Sequence, residues 1–379
     1  MKICAIGLRG IPDVMGGVES HCEYLYPRLA RLDDKLEIIV IGRSGYSRSG
    51  SFSDVRVVTL WAPHRKALET LIHTPLAILY ARLFLHPDII HLHAVGPGFF
   101  APLARLVGFR VIATHHAADY DRPKWGRFGR WFLKTGEWML VKFANEVICV
   151  SSVIETNLAK RHPQEKKRFI TIRNGAPPMV ANDRPEEELL GSLGVKRGGY
   201  ILCVGRLDPS KGFDDVIRAF GIAKPKDLKL VIAGGSLGSD DYAAKLMESA
   251  ADNIIFAGPR SSDDVRTLYR NAALFVHPSY HEGFPMVVLE ALAADAPILL
   301  SDIPPHLEVE LDGECYYPKG DIPALAAVLR AGDFTRLRCS RRSQILEENN
   351  WDSIARRHRD ILVRHLRGRE PADVRAPAA

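Results

Sequence analysis

Two glutamates, Glu282 and Glu290, bracket a turn in which an apolar run, Ala273 to Val276, gives way through a Gly/Pro loop to the helix-forming run Met286 to Ala294. Pro285 stands where that helix begins, a position at which its missing N–H costs nothing because the amide would have no partner there anyway. The remaining free amides of the first turn form a cradle for an anion such as phosphate. Glu282 lies in the loop beside the cradle, and Glu290 sits about 7.5 Å along the helix axis. One anion site flanked by two carboxylates suits a nucleotide-diphosphate sugar, with phosphates on the helix end and sugar hydroxyls on the acids.

Cations for such a ligand stand upstream. Val204-Gly-Arg-Leu-Asp-Pro-Ser-Lys-Gly212 places Arg206 and Lys211 on either side of a strand-to-helix turn. An arginine can grip phosphate oxygens with two parallel hydrogen bonds while a lysine supplies a point charge, and both stabilise a departing diphosphate. Near the start of the chain, Gly16-Gly17 open a helix at Val18 and let the backbone approach a ligand closely. The run Val111-Ile-Ala-Thr-His-His116 ends a strand, so one imidazole should face a cleft. Asn174-Gly175 reads as a turn after the strand at 169–172. The acidic doublets Asp214-Asp215, Asp240-Asp241 and Asp263-Asp264 fall at helix starts, where aspartate caps. Asp33-Asp34 is the fourth doublet, and no metal is expected.

These strings carry a resemblance. Glu282 to Glu290, with Gly283-Phe284-Pro285 between them, is similar to the E-x7-E signature of the family-4 retaining glycosyltransferases. The Arg206–Lys211 loop resembles that family's donor-phosphate loop, and Ile11 to Glu19 resembles its first Gly-Gly loop; the likeness runs in order over roughly residues 1–366. It implies a GT-B fold and metal-independent transfer with retention, from a nucleotide-diphosphate sugar to a glycan or lipid-linked acceptor. Surface-polysaccharide assembly is the implied setting. Glu282 would hold donor-sugar hydroxyls, Glu290 the ribose hydroxyls, and Gly16-Gly17 would reach across the cleft. Aligning on Lys124-Trp125-Gly126 selects His116 for the donor sugar, with His115 as the alternative. The segment His116 to Gly126 resembles bacterial rhamnosyl- or mannosyltransferase-like members. Asn174-Gly175 resembles the family's Asn-Gly turn near the interdomain hinge, though a simple turn explains it equally well. A nucleotide-sugar 2-epimerase of the same architecture and a non-catalytic sugar-nucleotide-binding protein are the alternatives. No cofactor is implied beyond the donor.

The elements that must position these residues alternate between strand and helix. Strands are expected near 2–7, 36–41, 55–60, 88–92, 110–114, 146–150 and 169–172, then near 200–204, 228–233, 254–257, 274–277 and 297–301. Helices include 17–32, 66–85, 97–107, 127–144, 212–223 and 285–294. Continuous apolar strands in β/α alternation imply parallel sheets covered on both faces. Two copies imply two doubly wound, Rossmann-like domains with ligands at the carboxyl ends of their strands. The division expected is residues 1–180 for the acceptor, 181–350 for the nucleotide sugar, a helix at 351–366 crossing back, and a disordered tail at 367–379. A polar linker is read at Pro177 to Glu188.

Length and composition agree: 379 residues, 46% hydrophobic and 25% charged, make two ordinary globular domains. Six scattered cysteines without metal spacing point to a reduced, cytoplasmic protein. The N-terminus is too short and interrupted for a signal peptide, and no uninterrupted apolar run approaches a membrane span. Up to residue 180 there are 25 Lys and Arg against 15 Asp and Glu; afterwards there are 26 against 30. A basic first half implies an anionic partner. Nucleic acid is set aside for want of a helix-turn-helix, zinc or aromatic-platform signature. A lipid-diphosphate acceptor or an anionic membrane surface, with the protein peripheral at its inner face, fits better. Between Arg122 and Lys142, six cations interleave with Trp125, Phe128, Trp131, Phe132 and Trp138. Two readings stay open there: a peripheral membrane contact, or a core-facing aromatic stripe with a solvated basic back.

Overall fold

The computed structural model describes residues 1–63, 66–122, 125–178, 185–236, 241–248 and 251–367. The first domain carries an eight-stranded sheet built from β1 (Lys2–Ile6), β2 (Glu37–Arg43), β3 (Gly50–Phe52), β4 (Val55–Leu60), β5 (Ile89–His93), β6 (Arg110–His115), β7 (Glu146–Cys149) and β8 (Phe169–Thr171), in the order β3-β4-β2-β1-β5-β6-β7-β8. Only β3 runs antiparallel, as a short hairpin on β4 that the sequence pattern did not announce. The second domain carries β9 (Tyr200–Val204), β10 (Lys229–Ala233), β11 (Ile254–Gly258), β12 (Leu274–His277), β13 (Ile298–Ser301) and β14 (Tyr316–Tyr317), all parallel, in the order β11-β10-β9-β12-β13-β14. The central strands are buried on both faces, Ile3 to Ile6 and Ile201 to Cys203 completely, which is why they read as unbroken apolar runs.

In both sheets the strand order reverses beside the first strand of the domain: β1 lies between β2 and β5, and β9 between β10 and β12. Such switch points open a crevice at the carboxyl ends of the strands. The loops after β1, β6, β9 and β12 carry Gly16-Gly17, His116, Arg206 with Lys211, and Glu282. The expected two-domain, doubly wound architecture is therefore the one observed.

Local differences have local causes. The helix expected at 66–85 is α-helical over Lys66–Tyr80 and closes with a wider π turn over Ala81–Leu85. The segment 97–107 splits into Val95–Gly98 and Ala101–Leu106. Part of the expected linker is helical, because Glu186–Ser192 forms a helix whose first turn holds Glu186, Glu187 and Glu188, charges that favour a helix N-terminus. Residues 179–184 of that linker, Lys124, Asp240 and the tail from 368 lie outside the described residues. Pro285 is the N-cap of helix Met286–Ala293, with φ −80° and ψ 99°, one position earlier than its expected place inside the first turn.

The two domains are joined at several points besides the chain connection. Helix Trp351–Arg367 lies on Gly17–Leu32 of the first domain, where Trp351 stacks on Tyr24 with ring centroids 5.5 Å apart and Asp352 accepts from Arg28 at 3.1 Å. Glu146 at the start of β7 accepts from Arg364 and His365 of the same helix. Glu308 of the second domain accepts from the backbone amides of Ser152 and Val153 at 2.7 and 3.2 Å and from Arg173 at 3.0 Å. It caps a helix N-terminus of the first domain from across the interface.

Candidate active site

The helix Met286–Ala293 leaves the amides of Met286 and Val287 without intrahelical acceptors. Ahead of it, the loop after β12 turns Glu282 back toward the strand ends. Its Oε1 accepts from Lys211 Nζ at 2.5 Å and from His277 Nε2 at 2.7 Å. Burial opposes charge on Glu282, but Lys211, His277 and His306 outweigh it and hold the carboxyl well below its usual range. His306 itself accepts no proton near neutrality, because burial and then His277 push it down to about 3. Ligating atoms of His277, Glu282 and His306 lie within 4.8 Å of one another. The Lys211 ammonium sits against that group and supplies the local cation.

Lys211 ends a 3-10 turn, Pro209–Lys211, whose start is capped by Asp208 accepting from the Ser210 amide at 3.0 Å. Arg206 precedes the turn. Burial and then Arg122 and Arg9 lower the Arg206 guanidinium, and it makes no ion pair among the described residues. Burial, Arg122 and Arg206 likewise depress Lys211, against the pull of Glu282. Arg122 is buried beside Asp119 at 3.0 Å; burial pulls it down, and Asp119, Asp208 and Glu282 together more than offset that. Arg122 thus depresses both Arg206 and Lys211 while its own charge is held by the nearby carboxylates, and a polyanion entering beside these cations would favour their charged forms. Arg122 was visible only as one member of a basic run, and nothing in its spacing marked it for this site. Arg9, in the loop after β1, is a more distant contributor.

Glu290 is part-buried on the helix. Its Oε2 accepts from Tyr269 at 3.3 Å, and burial raises its carboxyl to about 7, with Tyr269 and Arg266 pulling the other way. It also lies within electrostatic reach of Tyr24 in the first domain, so it faces the interdomain side.

Gly283 packs so tightly that a Cβ there would come within 1.6 Å of the His116 carbonyl. Only glycine allows the loop after β12 to meet the loop after β6. Phe284 is buried, with the Arg173 guanidinium 5.8 Å from its ring centroid and its carbonyl accepting from Asn174 Nδ2 at 3.1 Å. Asn174 Oδ1 in turn accepts from His21 Nδ1 at 2.9 Å. The residue read either as a simple turn or as the family's turn near the interdomain hinge thus fastens helix Gly17–Leu32 to the loop carrying Glu282.

Of the doubled histidines, His115 is buried in a structural network, with Nε2 on Glu137 at 2.9 Å and Glu137 also paired to Arg161. His116 is the one at the domain junction. Its Nε2 joins His93 Nδ1 at 3.0 Å; His93 Nε2 joins Tyr26 Oη at 2.5 Å, Tyr26 joins His91 at 3.0 Å, and His91 joins Thr114 at 2.8 Å. Burial and the neighbouring histidines keep His116 well below its ordinary value, so it is neutral and acts as a hydrogen-bonding group. Gly16, with φ 155°, precedes helix Gly17–Leu32; a Cβ there would strike Glu19, whose Oε1 accepts from the Arg9 amide at 3.1 Å. Around Gly17 there is open space, and the adjacent Met15 lies against Gly235 in the loop after β10. The glycine loop therefore reaches the second domain.

Two facing Rossmann-like domains, with these groups gathered at the junction of their switch points, define the GT-B class of fold. Residues 15–178 match the family model described as Glycosyltransferase Family 4, and residues 187–331 match Glycosyl transferases group 1. Together they take in most of the chain, which belongs to the family-4 glycosyltransferases. An uncharacterized glycosyltransferase of Methanocaldococcus jannaschii is 26% identical over 94% of this chain and 96% of its own. The alpha-galactosylglucosyldiacylglycerol synthase of Streptococcus pneumoniae is 29% identical, over 71% of this chain and 73% of its own. Among solved structures, Anabaena HepE in complex with UDP-glucose superposes with a TM-score of 0.74 at 18% identity, covering 96% of this chain and 100% of that one.

Proposed function

We propose that the protein transfers a sugar from a nucleotide-diphosphate donor to a glycan or lipid-linked acceptor, without a divalent ion and with retention at the anomeric carbon, in cell-surface polysaccharide assembly. The observation that carries this reading is the gathering of Arg122, Arg206 and Lys211, of which Arg122 depresses the other two, in a cleft where Glu282 is the carboxylate bound to Lys211. Arg206, Lys211 and the amides ahead of Glu290 take the diphosphate, stabilising charge as it develops on the leaving group. Glu282 and the neutral His116 hold hydroxyls of the transferred sugar, Gly16-Gly17 close over the phosphates, and Glu290 accepts from the ribose hydroxyls. The bond from the anomeric carbon to phosphate oxygen breaks as the acceptor oxygen bonds to that carbon on the same face. The acceptor proton passes to the departing phosphate.

HepE bound to UDP-glucose favours a uridine donor as the first to try, and the name of the pneumococcal relative favours a glycolipid-type acceptor. Six free, buried cysteines suit a cytoplasmic location. The test is a thermal-shift screen against UDP-, GDP-, ADP- and dTDP-sugars with and without EDTA, followed by product NMR. The reading requires one donor to raise Tm by mass action with EDTA present, and product with the donor's anomeric configuration. Interconversion of the donor without acceptor would instead identify an epimerase. Binding without turnover would identify a sugar-nucleotide-binding protein.

A further inference from the structure

The first domain exposes an apolar, cationic face that the glycosyl-transfer site does not use. Three helical segments, Lys66–Leu85, Ala101–Leu106 and Arg127–Phe143, pack beside one another on the same side of the eight-stranded sheet. Their inner residues, among them Ile78, Ala81, Ala104 and Leu140, are buried in the core. No described residue covers their outer residues. Of the nineteen exposed large hydrophobic residues among the described ones, eleven lie on these segments, far more than scattered surface leucines would place there.

In the first segment Ile72, Leu76, Leu79 and Leu83 follow one another at helical spacing on one outer face, and Phe84 joins them; Leu83 is 65% and Phe84 67% exposed. Leu106, at 84%, is the most exposed of the set. In the third, Phe128, Trp131 and Trp138 point outward, while Phe132 turns inward to stack on Phe99 at 4.7 Å. The aromatic stripe is thus largely solvent-facing, which removes the core-facing alternative for this helix.

The exposed charges on the same three segments are of one sign. Arg82, Arg105, Arg127, Arg130, Lys134 and Lys142 are exposed. The two carboxylates, Glu69 and Glu137, are buried on Arg43 and on His115 and Arg161. Beside Leu106 a polar hollow of about 250 Å³ is lined by Arg105, Lys142, Asn145 and Arg168, which suits a phosphate-bearing headgroup.

We propose that this face seats the protein on an anionic phospholipid bilayer, with the three segments lying in the interface plane. Leu68–Leu85 has the length and mean hydropathy, 1.3, of a spanning segment, but 39% of it is buried against its own domain. It is thereby held flat, one side in the core and the other available to acyl chains. Exposed apolar side chains with interfacial tryptophans and a ring of cations are the requirements of an in-plane membrane contact. The helix Arg127–Phe143 begins five residues after Arg122, so the same contact would bring the cleft close to lipid-borne acceptors.

The proposal is tested by co-sedimentation of the full chain with phosphatidylcholine vesicles containing about one third phosphatidylglycerol, against phosphatidylcholine alone. Binding is expected only to the anionic vesicles, weakening with salt, with a blue shift of tryptophan emission. Leu83→Asp/Phe84→Asp should lower vesicle affinity by about tenfold or more. Arg127→Glu/Arg130→Glu should lower it and flatten its salt dependence. Both variants should keep the wild-type far-UV spectrum and the donor-induced Tm shift, which separates this contact from the reaction. Absence of binding by the wild type, or binding that both variants retain, would overturn the proposal. So would sedimentation showing a dimer that Leu83→Asp/Phe84→Asp dissolves without vesicle binding, since a second copy would then cover the face.

Discussion

Lys211 and Glu282, 71 residues apart in the chain, meet at 2.5 Å between Nζ and Oε1, so the cation proposed to take phosphate is tied to the acid proposed to hold the sugar. On the proposed reading the donor exchanges this ion pair for its own contacts. The pair is largely buried, so neither partner can be removed without leaving the other uncompensated.

Lys211→Ala is therefore expected to lower kcat by more than about a hundredfold and to cost about 3–5 kcal/mol of stability in the empty protein. Lys211→Met with Glu282→Gln should return most of the stability and none of the activity. Chemical denaturation alongside steady-state kinetics separates the two effects, and near-wild-type turnover in Lys211→Ala would remove the lysine from the chemistry.

Glu290 supplies a pH signature. Burial raises its carboxyl from an ordinary 4.5 to about 7, so the folded protein holds a proton there that the unfolded chain releases. Its contribution to stability is complete below about 4.5 and disappears as pH rises through about 7. Glu290→Gln should flatten that part of the curve of Tm against pH for the empty protein. The same variant should raise the donor KM more than it lowers kcat; a fall confined to kcat would argue against ribose binding.

The buried histidines act in the opposite sense. Burial lowers His21 to about 4 and His358 to about 3, and His91, His93 and His116 are also held well below 6.5. Each contributes stability above the unfolded value that is lost as pH falls toward the folded one. Tm should therefore decline steadily below about pH 6.5, and His358→Gln should soften the decline. Differential scanning calorimetry from pH 7 to 5 reads this directly.

Tyr26 positions His116 through His93. Tyr26→Phe removes the hydroxyl between His91 and His93 and should cost about 1–3 kcal/mol. If His116 needs that orientation, kcat falls by about tenfold with donor KM nearly unchanged. A stability loss with unaltered kcat would make the network purely structural.

Asn174→Ala should loosen the junction between the domains, since it strands His21 Nδ1 and the Phe284 carbonyl. A cost of about 1–3 kcal/mol is expected, together with a higher donor KM, because Phe284 belongs to the loop that carries Glu282. Unfolding curves and initial rates at varied donor concentration check both.

The two-domain fold was legible in the order of residues because strands buried on both faces are mainly apolar, as Ile3–Ile6 of β1 and Tyr200–Val204 of β9 are throughout. The strand β5 keeps its buried His91 and His93, and β12 its His277, at hydrogen-bonded positions. Short elements with few residues to carry a pattern, β3 and β14, were not. Glu282, Lys211 and Arg206 stood out because their strings, each following a strand, resemble motifs of the family. Pro285 shifted by one position because a proline serves as well just before a helix as at its first turn.

What the chain order could not specify is which distant side chains share a space. Arg122 looked like one cation among six on a basic stretch, and Asn174 like an ordinary turn or a turn near the hinge; folding placed the first among Lys211, Arg206 and Asp208 and made the second a clasp between domains. Only alignment on Lys124-Trp125-Gly126 favoured His116 over His115, and the alternation of side chains at the end of β6 sends His115 to Glu137 and His116 to the junction. Backbone pattern follows from local sterics and solvent, which neighbours in sequence carry. The charge on a buried group depends on everything packed around it, and only the assembled domains supply that.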